Sequence, residues 1–246
     1  MNRRERVLTS LRHKEPDRVP IDLGAMDSTG ITAVAYNRLK SYLNIHSGCT
    51  RVFDPYQQVV LVEEMVMERI HGDVKPVYIG PRQWKSSQLP DDSECQVPAL
   101  WNPERLPDGS QVVRDQTGKV TARMPAGGLY FEQIGYPLQH VETIADIERL
   151  RPVIETSDWP DFADEDYADL ARRARDLHEN TDYALMGNFC AHVFAGAQML
   201  RGFDTFMIDL LTNPALAECL MNELAEAYIR RFEHYVSIIT TSCALM

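Results

Sequence analysis

The chain is short of cysteine, of clustered basic residues and of long apolar runs, and each shortage removes a class of protein. Its five cysteines (Cys49, Cys95, Cys190, Cys219 and Cys243) are odd in number, scattered and without a C-x-x-C pair. That usage fits reduced thiols in a cytoplasmic setting better than a disulfide framework. With 36 acidic against 25 basic side chains, the formal charge is −11. No Lys/Arg cluster offsets it, so phosphate backbones and anionic lipid heads are repelled, and neither nucleic acid nor a membrane is expected as a partner. The longest uncharged run, residues 183–200, contains Gly187, Asn188, His192, Gly196 and Gln198. It therefore reads as a buried strand, turn and helix rather than a membrane span. Arg3, Arg4, Glu5 and Arg6 lead into no apolar segment, so no signal peptide is expected. There is no Walker A loop, no G-x-G-x-x-G and no G-x-S-x-G, which leaves nucleotide-binding and serine-hydrolase readings without support.

What is present suits a globular α/β chain: 246 residues, 44% of them hydrophobic, are enough for a sizeable core. Residues 2–13 are expected to be helical, with Pro16 ending that helix before a first strand from Arg18 to Leu23. Ser28 is a candidate cap for a second helix carrying Ile31, Val34, Ala35, Leu39 and Tyr42 at helical spacing. After Pro55, the recurrence of Val59, Val62, Val66 and Ile70 predicts another amphipathic helix, then a strand near Val74 to Ile79. Between residues 81 and 137, Pro and Gly punctuate short polar pieces, and 111–114 and 119–123 flank a turn, so this stretch is expected to be a hairpin-rich insertion. Helices are expected at about 143–150 and 164–179, a strand at 183–188, and two more helices, the last opened by Asn213 and Pro214. Alternating strands and helices argue for a parallel sheet with right-handed crossovers.

Two segments carry a resemblance to a known family: residues 4–24, RERVLTSLRHKEPDRVPIDLG, and 182–214, DYALMGNFCAHVFAGAQMLRGFDTFMIDLLTNP. Together they resemble the uroporphyrinogen decarboxylase superfamily, which implies a (β/α)8 TIM barrel. The family holds both the decarboxylase of porphyrin biosynthesis and corrinoid-dependent methyltransferases. A closed barrel typically takes roughly 250 residues without excursions, so the expectation is a partial TIM barrel: one uroporphyrinogen decarboxylase-like domain over 1–246, incomplete at its C-terminus, with the next strand starting near Val236.

The decarboxylase must hold a substrate with many carboxylates, which demands arginines near the first strand; the family supplies an Arg-Gln-Ala-Gly-Arg element there. Here the stretch from Asp22 to Gly30 has no arginine and two acids. Where the family places its active-site tyrosine, this chain aligns Gln198. Residues 22–40, DLGAMDSTGITAVAYNRLK, look instead like the methyltransferase branch, which moves a methyl group from a small methylated donor to a corrinoid protein. That resemblance implies a corrinoid protein as methyl acceptor. It also implies a zinc site held by a His-x-Cys element and a later Cys, expected only in a C-terminal half beyond this sequence. The alternatives are the decarboxylase itself, or a non-catalytic fragment that pairs with a partner chain, another copy or a separate C-terminal half.

Candidate site residues lie at inferred strand ends, where barrel enzymes gather their chemistry. Asp22 and Asp27 can act as acid and base or orient a donor, though one of them can equally cap the helix near Ser28. His192, with Cys190 two residues before it, can line a substrate site; two ligands are too few for zinc, and plain packing is the competing reading. Gln198, Asn188 and Asp54 are the substrate-binding candidates, with Asp54 and Gln57 at the start of the expected helix after Pro55, where Asp54 can equally be a cap. Gly202 reads as a helix C-cap and Arg201 as the partner of a nearby acid.

Overall fold

The computed structural model describes residues 1–156, 164–189 and 191–242. In chain order, helix α1 (Arg3–Leu11) is followed by a 3-10 turn (Asp27–Thr29), α2 (Ala33–Tyr42), β1 (Arg51–Asp54), β2 (Val59–Leu61), α3 (Glu64–Ile70) and β3 (Val74–Val77). Six strands come next: β4 (Trp84–Gln88), β5 (Glu94–Pro98), β6 (Glu104–Arg105), β7 (Gln111–Arg114), β8 (Val120–Met124) and β9 (Glu132–Gln133). The remainder is α4 (Ile144–Arg149), α5 (Arg151–Thr156), α6 (Asp164–Asn180), β10 (Ala184–Gly187), α7 (Val193–Arg201), α8 (Phe203–Thr212) and α9 (Pro214–Ser242).

The expected partial (β/α)8 barrel is not what these elements build. The strands form three small sheets: a mixed one in the order β2-β1-β5-β4, a parallel pair β10-β3, and an antiparallel one, β6-β7-β8-β9. Among the described residues no closed barrel forms. Three local causes account for the difference. The first is that the expected strand at 18–23 is irregular. Pro20 has no N–H to give a ladder, and the Ile21 N–H goes to the Asp73 carboxylate at 2.8 Å, while Ile21 O accepts from Asp73 N at 2.8 Å. A second cause is that the expected helix after Pro55 splits. Gln58 takes a left-handed φ of 59°, and the consecutive Val59, Val60 and Leu61 pair with β1 as strand β2, so only Glu64–Ile70 is helical. Thirdly, the strand expected from Val236 is absent because α9 continues as helix to Ser242.

Other expectations hold. The helix over 2–13, the strands near 74–79 and 183–188, the turn at 116–118 between β7 and β8, and the helices near 143–150 and 164–179 are all present. Residues 188–213 hold two helices instead of one, broken at Gly202, whose φ of 93° and close approach to the Tyr136 ring suit only glycine. Arg201, the last residue of α7, pairs with Asp209 at 2.7 Å and donates to Leu138 O and Gln139 O.

The main core gathers α4–α9 around β3 and β10. Along α9 it takes Leu216, Leu220, Leu224 and Tyr228, then Tyr235, while Phe232, which the helical spacing would place inside, is half exposed. A second core joins α2 and α3 to the mixed sheet through Tyr36, Val66, Val52, Val60 and Val97.

Two features lock the parallel pair in place. At its start the Asp73 side chain is fully buried and meets Arg6 at 2.6 Å and Arg18 at 2.7 Å. Beside it, Arg4 fastens α1 to the entry of β10: its N–H bonds Asp182 O at 2.7 Å, and its guanidinium reaches the carbonyls of His178, Thr181 and Tyr183 at 2.9–3.0 Å. Among the described residues no helix is long and apolar enough to cross a membrane.

Candidate functional site

The C-terminal ends of β1, β3 and β10 come together with the loop 22–30. That loop is held down on β2. Gly24, at φ 82°, lies so close that an added Cβ would meet Val62 at 2.8 Å, and the Val60 N–H donates to Ile31 O. The result is that Asp27, in the 3-10 turn, faces β10. The Asn188 side chain, buried just past β10, donates its Nδ2–H to Asp27 Oδ1 at 3.3 Å, and its backbone N–H donates to Val77 O at 2.9 Å.

Asp54 closes β1 on the same side. It does not start a helix as expected: its Oδ1 accepts the N–H groups of Tyr56 at 2.9 Å and Gln57 at 3.3 Å, an Asx turn leading into β2. Burial pushes the Asp54 carboxyl above its usual range, the two backbone N–H groups pull it back, and the negative charge of Asp27 adds to the rise. Three of the candidate residues, Asp27, Asp54 and Asn188, thus share one environment containing two acids.

The other candidates are placed differently. Asp22 serves its own loop, its Oδ1 accepting the Ala25 N–H at 3.0 Å. His192 precedes α7 without capping it through its side chain, and its ring lies 6.2 Å from that of Tyr228 on α9. Gln198, midway along α7, directs its Nε2 toward the Met207 sulfur of α8 at 3.8 Å. Cys190 lies outside the described residues. Among the described residues no group of three or more His, Cys, Asp or Glu side chains is placed to hold a metal, so the donor set present does not fit zinc.

Two tyrosines belong to this neighbourhood and were not singled out by the sequence. Tyr56, tied to Asp54 through its backbone, forms one wall of a cavity of about 300 Å³ whose other walls include Phe131, Pro137, Met199 and Leu200. Burial raises its phenol, with the Asp54 charge contributing. Tyr78, directly after β3, has its phenol pushed up to about 12 by burial, against the pull of Arg173 and Arg51. The signal for both was simple: each follows a strand end within two residues, where side chains open onto the ends of the sheet.

Comparison of the chain with protein-family models, curated proteins and solved structures finds no match in any of the three.

Proposed function

We propose that this chain is a methyltransferase of the corrinoid-dependent kind, taking a methyl group from a small, largely apolar methylated donor. The observation that carries the reading is the acidic pair: Asp54, raised by burial and by Asp27, accepts the backbone N–H of Tyr56, whose ring walls a largely apolar cavity. A carboxyl that holds its proton more readily than usual, next to a second acid, is the arrangement that serves general acid catalysis. When a methyl group leaves an ether oxygen or an amine nitrogen, that atom must gain a proton; Asp54 gives it, and Asp27, oriented by Asn188, favours the protonated form of Asp54. A corrinoid on a partner protein would supply, when bound, the electron pair that accepts the methyl group; the residues of this chain are assigned only the proton and its orientation. Nothing in this reading is routed through zinc.

The absence of arginine between Asp22 and Gly30 argues against a polycarboxylate substrate at this end and so against uroporphyrinogen decarboxylation. The test is methyl transfer from methyl phenyl ether or trimethylamine to chemically reduced cobalamin, followed by absorbance. The unaltered chain is expected to accelerate transfer, and Asp54→Asn to lower the rate by about a hundredfold, in the range for losing a general acid. No acceleration by the unaltered chain, or decarboxylation of uroporphyrinogen in its place, would overturn the reading.

A further inference from the structure

A cavity of about 370 Å³ lies between β1, β4, the segment after β3 and helix α6. Its walls include Leu61, Tyr78, Pro81 and Trp84 together with three arginines, Arg51, Arg82 and Arg173, in a chain that is strongly acidic overall. Two of the three are already engaged. Arg82 meets Glu165 at 3.2 Å and Asp166 at 2.8 Å, and Arg173 meets Asp169 at 2.7 Å and donates to Tyr78 O at 2.6 Å.

Arg51 is different. Its Nε donates to Gln96 Oε1 at 3.0 Å and its guanidinium sits 5.5 Å from the centre of the Trp84 ring, but its two terminal nitrogens have no partner among the described residues. The phenol O–H of Tyr78 likewise has no partner among the described residues, although the ring is packed against Phe53 and lies under Arg173. A half-buried hydroxyl without a protein partner takes one from water or a ligand.

We infer that this cavity is a binding site for a small aromatic carboxylate, held by the two terminal nitrogens of Arg51 and the hydroxyl of Tyr78, with its ring against Trp84 and Leu61. One uncommitted guanidinium matches one negative charge, and its two parallel N–H groups match the two oxygens of a carboxylate. A phosphate dianion would bring a second charge toward Asp169, which also lines the cavity. The volume falls within the usual range for small-molecule sites, and three of its four charged wall residues, Arg82, Asp169 and Arg173, are already paired, which leaves Arg51 to set the ligand's charge. The site borders the acidic pair's neighbourhood through Tyr78 but contains neither Asp27 nor Asp54 in its walls, and it does not depend on methyl transfer.

The probe is benzoate, titrated calorimetrically into the whole chain, with benzyl alcohol and inorganic phosphate as comparators. Benzoate is expected to bind, with benzyl alcohol and phosphate each at least about tenfold weaker, the scale of one charge-assisted hydrogen bond. Arg51→Gln should weaken benzoate about tenfold or more and Tyr78→Phe by a smaller factor, while Arg12→Gln, on the exposed end of α1, changes nothing. Circular dichroism confirms that each variant is folded, and the exposed position of Arg51 favours that. The inference is overturned if benzoate gives no binding at millimolar concentration, if phosphate binds as tightly as benzoate, or if folded Arg51→Gln and Tyr78→Phe bind benzoate as the unaltered chain does.

Discussion

The fully buried Asp73 at the entry of the β3–β10 pair and the half-buried Asp54 that closes neighbouring β1 have opposite electrostatic fates. At the entry, burial alone would push Asp73 up, but the guanidiniums of Arg18 and Arg6 and the Ile21 N–H outweigh it and hold the carboxyl below its usual range. At the exit, Asp54 has no such cation; burial and Asp27 leave it raised. The same side chain is a structural anchor in one setting and, in the proposed function, the proton donor in the other. What separates them is whether arginines arrive to neutralise the charge.

That contrast is most severely tested at the entry. Asp73→Asn leaves Arg6 and Arg18 facing one another without their shared anion, and is expected to cost about 3 kcal/mol in urea unfolding, the scale for breaking a buried ion pair. Because Asp73 has a folded-state pKa below its unfolded one, its contribution is present above the ordinary carboxylate range and is lost as pH falls through the folded-state value. The stability gap between the unaltered chain and Asp73→Asn should therefore close on acidification. A gap that stays constant to acid pH would show that the anion is not what holds this end.

The exit should behave in reverse. Asp54 has a raised folded-state pKa, so its favourable contribution exists below the unfolded-state pKa and disappears as pH rises through the folded-state value. At neutral pH, Asp54→Asn should leave the urea midpoint unchanged or slightly higher even as methyl transfer falls. A loss of stability as large as that of Asp73→Asn would make Asp54 a second anchor and remove the contrast. The smallest effect is expected at Gln198→Ala, whose side chain lies against Met207: a change within about 0.5 kcal/mol and no change in transfer rate. An altered KM for the donor would extend the site along α7.

The entry and exit were not equally legible in the sequence. Strand β10 announces itself as a short apolar run and β3 as valines around Lys75 and Pro76, and Arg201 and Gly202 signal an ion pair and a helix end by residue type alone. Asp54 was named for its place in a helix that does not form, since Val59, Val62, Val66 and Ile70 satisfy a helical period although 59–61 pair as strand. Short apolar runs fit both periods, and pairing with a distant strand decides between them. The Asp27–Asn188 bond spans 161 residues and the Asp73 bond to Arg18 spans 55, and no local pattern encodes either. Tyr235 makes the same point: its hydroxyl bonds Val77 O at 2.5 Å across the whole fold, while the helical stripe alone would have put Phe232 inside.

The Arg4 clamp has a consequence for the order in which the molecule is made. Its three carbonyl partners, at His178, Thr181 and Tyr183, leave the ribosome long after α1 does. At usual synthesis speeds of roughly 5–20 residues per second, Arg4 waits on the order of ten seconds or more for these carbonyls. Arg3 and Arg6 can meet Glu68, Asp17 and Asp73 well before that, so α1 is seated in two stages, the β10 side last.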